Sequence, residues 1–172
     1  MTLDQQLADA RRTFPGYPEE VFRLWLDDRI KANGWPPAGI EWQGFLFGHG
    51  ISFWQSITWH RQNVSLTAND LSRESFRAIH QIVDAGANGT RNPMSMYIPN
   101  TVERFKSSLE YIKSNGSTPK TILLLDTPEG YDIVDGTHRV AALLAIQSCI
   151  DPPLQPSPPV DAWVARPPLS AD

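Results

Sequence analysis

Five consecutive residues, Asp135-Gly136-Thr137-His138-Arg139, bring together an acid, a flexible turn residue, a hydroxyl, an imidazole and a guanidinium. They stand between the apolar run Tyr131-Asp132-Ile133-Val134 and the Ala/Leu-rich run Val140-Ala141-Ala142-Leu143-Leu144-Ala145. The pattern predicts a strand, one tight turn and a helix. A glycine in such a turn lets backbone approach a ligand closely. The first helical turn leaves N–H groups unpaired at the positive end of the dipole. Such an end suits a phosphate or another anion. His138 and Arg139 add side-chain donors there, and Arg139 can hold an oxyanion through two parallel bonds. A purely structural reading stands beside this one, in which Asp135 or Thr137 caps the helix.

The run Asp135-Gly136-Thr137-His138-Arg139-Val140-Ala141-Ala142 resembles the signature of the ParB/sulfiredoxin-like superfamily. That superfamily includes partitioning CTPases, ParB-like nucleases, sulfiredoxins and nucleotide-dependent serine kinases. The flanking order is similar too. Ile98-Pro99 precedes a predicted helix over Thr101 to Asn115. Pro119 then leads into the strand Thr121-Ile122-Leu123-Leu124-Leu125. A turn over Asp126 to Gly130 reaches the signature strand, and Val160-Asp161-Ala162-Trp163-Val164 reads as a closing strand. The resemblance covers residues 94–166.

The resemblance implies a nucleotide site. In sulfiredoxin-like sites the helix before the sheet contributes a basic residue and a hydroxyl three positions on, and Arg104 and Ser107 match that spacing. Read alone, the two would be a solvated helix face. Sulfiredoxins place a cysteine where this chain has Thr137, and the single cysteine, Cys149, falls at the far end of the next helix. Sulfiredoxin chemistry, which needs a thiolate, is therefore not expected. Partitioning proteins carry an arginine-rich motif and a helix-turn-helix that do not follow here, so centromere recognition is not expected either.

Composition narrows the classes further. With 172 residues the chain suits one domain, or one with an elaboration. A hydrophobic share of 41% and a charged share of 20% fit a soluble globular protein. The first thirteen residues lack the apolar core of a signal peptide, and no run is long enough to span a bilayer. No membrane association is expected, and a cytoplasmic location is the default. A net charge of −4 argues against a dedicated nucleic-acid binder. No pair of histidines has metal-ligand spacing.

The elements that must position the turn follow from periodicity and punctuation. A short helix is predicted over residues 3–12, and a second opens at Pro18-Glu19-Glu20 with Val21, Phe22, Leu24, Trp25, Leu26 and Ile30 on its apolar face. Asn33-Gly34 ends it. Residues 40–60 are dense in aromatics and glycine, and core filling is the favoured reading over a flap hinged at Gly44, Gly48 and Gly50. Leu66 to Asp84 reads as a helix with Leu71, Phe76, Ile79, Ile82 and Val83 buried, followed by a loop over Gly86 to Pro93. Val102, Phe105, Leu109 and Ile112 should form the buried stripe of the Thr101 helix. Asp151 to Pro159 reads as a proline-rich surface excursion.

Together these readings predict an α/β (α+β) domain with a small mixed sheet of ParB/sulfiredoxin type over residues 91–172. A helical, aromatic-rich elaboration over residues 1–90 should complete one compact unit. The expected function is a nucleotide-dependent phosphotransferase using ATP or ADP, with Mg2+ carried by the nucleotide, and a small hydroxyl-bearing acceptor. Gly136, Thr137, Arg104 and Ser107 would hold the nucleotide. Asp135 would bind magnesium or act as base, His138 would donate to a phosphate, and Arg139 would neutralise developing charge. Glu41 is a candidate second carboxylate. A ParB-like nuclease or DNA-associated protein, and a non-catalytic interaction or toxin-like module, remain as alternatives. The oligomeric state stays open.

Overall fold

A computed structural model describes residues 1–149 and 159–168. The expected excursion over Asp151 to Pro158 lies outside the described residues. The protein is mixed α/β with a four-stranded mixed sheet. The strands are β1 (Thr58–Val64), β2 (Ile122–Thr127), β3 (Gly130–Asp135) and β4 (Val160–Arg166), in the order β1-β4-β2-β3. The chain divides into two compact units, residues 1–60 with 164–172, and residues 61–163. The boundary expected near residue 90 falls inside the second unit. Among the described residues no helix is long and apolar enough to cross a membrane.

The first unit begins with α1 (Leu3–Thr13), whose start is fixed by a capping box between Thr2 and Gln5. The second helical stretch runs as α2 (Glu19–Phe22), a π-helical turn (Arg23–Asp27) and α3 (Asp28–Asn33), and ends at Gly34 as its sequence predicts. Val21, Phe22, Trp25, Leu26 and Ile30 are buried along it. The short helices α4 (Ile40–Phe45) and α5 (Ile51–Ser56) place Trp42 and Trp54 in the core. The Trp25 and Trp54 rings lie 4.4 Å apart, centroid to centroid. The aromatic-rich segment is thus core, with each ring supplying a large buried apolar area.

The second unit carries α6 (Arg73–Asn88), α7 (Pro93–Tyr97), α8 (Thr101–Asn115) and α9 (Thr137–Cys149). Helices α6, α8 and α9 pack on one another, and α6 also meets β3. The side chains of Ile122 to Leu125 on β2 are wholly buried, as an unbroken apolar run in a central strand requires. Strands β2 and β3 form an antiparallel hairpin closed by Pro128 and Glu129 between Thr127 and Gly130.

The structure corrects several element readings. The helix expected from Leu66 starts only at Arg73, after the Ser72 cap. Leu71 instead bridges Tyr131, and the Ser72 N–H donates to the Tyr131 carbonyl at 3.0 Å, so backbone pairing with β3 wins over helical propensity. Phe76, placed in the buried stripe, is exposed. On α8 the buried residues are Thr101, Phe105, Ser108 and Ile112, a stripe rotated from the apolar one, with Val102 and Leu109 only half-buried. Helix α6 also continues through Gly86, which sequence reading placed in a loop. Gly86 meets the Phe105 ring: a Cβ there would lie 2.2 Å from Phe105 Cδ1. Strand β1 has no counterpart in the sequence pattern. Only Val64 in it is buried, so this edge strand shows no alternating pattern.

Candidate functional site

The strand-turn-helix junction forms as its residues predict. Strand β3 ends at Asp135, Gly136 turns the chain at φ +101°, and α9 begins at Thr137. The Val140 N–H donates to the Gly136 carbonyl at 3.0 Å, closing the first helical turn. The N–H groups of Thr137, His138 and Arg139 are the ones this geometry leaves over.

A cavity of about 390 Å³ opens at this junction. Asp135, Gly136, His138 and Arg139 line one side, Glu103, Arg104, Ser107 and Ser108 of α8 another, and Pro119 and Lys120 a third. The structure therefore brings six of the expected site residues together: Arg104, Ser107, Asp135, Gly136, His138 and Arg139. Thr137 is half-buried at the helix start and does not line the cavity. Glu41 lies exposed on α4 in the first unit, whereas the cavity is lined from the second unit. Sequence reasoning missed Lys120 and Glu103. Lys120 lies in a loop without periodicity, and Glu103 reads as an ordinary first-turn acid of α8.

Electrostatics divide the lining into paired and unpaired groups. Arg139 Nη2 donates to Asp135 Oδ2 at 2.7 Å and to the Thr121 carbonyl at 3.2 Å. Arg139 Nε is buried with no acceptor among the described residues. The partner of Arg139 is thus Asp135, one helical turn back, and each of these two candidates neutralises the other. Arg104, Lys120, Glu103 and Ser107 make no side-chain hydrogen bond or ion pair among the described residues. Gly136 has a structural reason of its own. A Cβ would lie 2.8 Å from Ile122 Cγ2 and 2.9 Å from Arg139 Nη2, so the guanidinium occupies the space that a side chain would take.

His138 is buried, and its Nε2 lies 3.3 Å from Thr101 Oγ1. Thr101 Oγ1 also sits 3.0 Å from the carbonyls of Met94 and Ile98, which take its single proton. The hydroxyl can then only accept from His138, which assigns the imidazole proton to Nε2 by donor counting. Burial pushes the His138 pKa down to about 4, helped by Arg104 and Arg139 and opposed by Asp135. The imidazole is neutral at pH 7 and its one donor is already used. The donation to a phosphate expected of His138 is not available in this state, and the residue instead ties α9 to the start of α8.

Among the described residues no group of three or more His, Cys, Asp or Glu side chains is arranged to hold a metal ion. Elsewhere His49 stacks on Phe53 at 3.7 Å, and His60 Nε2 lies 3.1 Å from Thr58 Oγ1. Comparison with known protein families, characterised proteins and solved structures finds no match to this chain.

Proposed function

We propose that the cavity at the α9 N-terminus binds the phosphates of a nucleotide and that the protein is a phosphotransferase acting on a small hydroxyl-bearing acceptor. The observation that carries this reading is the meeting of two unpaired cations, Arg104 and Lys120, with the helix start and Arg139 around one cavity. Its volume falls within the range of about 300–1,000 Å³ usual for small-molecule sites. Cations and free amides placed where phosphoryl charge develops are most of what phosphoryl transfer asks of a protein. The resemblance of the Asp135 to Ala142 run to nucleotide-binding members of the ParB/sulfiredoxin-like superfamily supports the same reading.

Each residue then has a task. Arg104 and Lys120 draw in the phosphates and hold their oxygens. The amides of His138 and Arg139 face the charge at the positive helix end. Ser107 offers a hydroxyl donor. Asp135 accepts the proton of the acceptor hydroxyl as its oxygen bonds to phosphorus and the bond from phosphorus to the leaving phosphate oxygen breaks. A magnesium ion carried by the nucleotide fits the donor set, because it needs only one or two carboxylates. The Glu103 carboxylate is without a partner among the described residues and would hold it. Bound there, the ion would offset phosphate charge.

A thermal-shift series with ATP, ADP and CTP, with and without magnesium, tests the reading. A ligand at a hundred times its dissociation constant stabilises the fold by about 2.7 kcal/mol. The proposal expects such a shift for at least one nucleotide, and a smaller one, about 1.8 kcal/mol, in Arg104→Gln at the same ligand concentration. No shift for any of them contradicts it.

A further inference from the structure

We propose that the Asp135–Arg139 ion pair is a latch opened by the ligand: an incoming phosphate takes Arg139 as its partner in place of Asp135 and leaves that carboxylate free beside it. The inference rests on the reading that the cavity receives a phosphate.

The geometry shows a guanidinium held incompletely. Of the three nitrogens of Arg139 only Nη2 is engaged among the described residues, and it is shared between Asp135 Oδ2 at 2.7 Å and the Thr121 carbonyl at 3.2 Å. Nε is buried without an acceptor among the described residues, which costs free energy. Arginine binds phosphate best through two nitrogens at once, which the present single-nitrogen contact does not use. Both members of the pair line the cavity, and so do Arg104 and Lys120, which have no anionic partner among the described residues. An anion drawn to those two cations reaches Arg139 as a competitor of Asp135. Gly136 makes the exchange feasible, since a Cβ there would sit 2.9 Å from Nη2 and 3.1 Å from Nε and wedge the guanidinium. A carboxylate freed only when phosphate is present is a base that appears together with its substrate.

A double-mutant cycle with inorganic phosphate as the probe separates a latch from plain repulsion. Binding is measured by calorimetry on the full chain, Asp135→Asn, Arg139→Gln and the double variant. The latch predicts that Asp135→Asn tightens phosphate binding by about tenfold, a coupling usual for groups in direct contact. In the Arg139→Gln background the same change should have little effect, within about twofold. An equal gain in both backgrounds means that the carboxylate merely repels the anion, and overturns the latch. Unchanged or weaker binding by Asp135→Asn overturns it as well. A second readout needs no variant at all. The 15N resonance of Arg139 Nε in the unchanged chain should move as phosphate saturates the site, and not with chloride at equal ionic strength. A stationary resonance at saturation overturns the latch while leaving the site in place. Failure of the unchanged chain to bind phosphate at millimolar concentration overturns the site itself, and the latch with it.

Discussion

His138 Nε2 lies 3.3 Å from Thr101 Oγ1, and this one bond joins the first turn of α9 to the first turn of α8. Two of the three sides of the cavity come from α8 and from the start of α9 with the turn before it, and the imidazole ties these two sides together. Its environment gives the stability of the fold a pH signature. The folded pKa, about 4, lies below the ordinary imidazole value of 6.5. The unfolded chain therefore takes up the proton first as the pH falls. The stability that neutral His138 contributes is fully present above pH 6.5 and is lost as the pH falls towards 4. One group can contribute a slope of up to about 1.4 kcal/mol per pH unit, or about 3 kcal/mol across the window. Urea midpoints from pH 7.5 to 4 should show this slope in the parent chain and a flatter one in His138→Gln. Equal slopes in both would mean that the imidazole is not buried and neutral.

Gly136 is held at φ +101° with Ile122 and Arg139 in the place of a side chain. Gly136→Ala should lower stability by about 2 kcal/mol from backbone strain and crowding. That corresponds to a melting temperature lower by about 4–8 °C for a chain of this size. An unchanged melting temperature would show that the turn has more room. The loss is expected without any ligand, so reduced nucleotide binding by Gly136 variants does not by itself identify a phosphate cradle.

Much of the second unit is legible from the order of residues. The unbroken apolar run Ile122 to Leu125, the turn before Gly130 and the Ala/Leu run after Arg139 each leave one element as the economical reading, and β2, β3 and α9 form there. Helix α8 runs from Thr101 to Asn115 as its periodicity predicts. What sequence could not supply is set by neighbours. Ser108 and Thr101 are buried because α8 turns that face inward, and Ser72 stops short of a helix because its N–H is taken by Tyr131. At the site, residue types indicated an anion-binding turn, and Arg104 and Ser107 do reach the same cavity. The pairing of Arg139 with Asp135 sits at i,i+4 spacing, which the sequence does carry; the engagement of His138 by Thr101 and the arrival of Lys120 are contacts in space, and spacing along the chain does not encode them.

Gly86 offers a test of helix packing. Helix propensity alone favours alanine over glycine by about 1 kcal/mol in a helix interior. A Cβ at this position would fall 2.2 Å from Phe105 Cδ1 and 2.6 Å from Cε1. Overpacking of this kind costs about 1–3 kcal/mol, so Gly86→Ala should destabilise the chain on balance. Adding Phe105→Leu should recover part of the loss. A stabilised Gly86→Ala variant in chemical denaturation would show that α6 and α8 are more loosely packed.

Arg104 and Lys120 should separate binding from folding. Both are exposed and carry no partner among the described residues, so Arg104→Gln and Lys120→Gln should leave the melting temperature almost unchanged. Each should weaken phosphate binding by about fivefold, equivalent to about 1 kcal/mol for a partly solvated charge contact. Calorimetry on the two variants measures this directly. Normal affinity in both would remove the cations from the site.

Phosphate binding at the start of α9 is tested most directly by an amide-resolved NMR titration of the unchanged chain with nucleotide and magnesium. The largest shifts should fall on the backbone amides of His138 and Arg139, with Arg104, Ser107 and Lys120 following at the same ligand concentration. Saturable binding whose shifts leave the start of α9 untouched, or no binding at all, would contradict it.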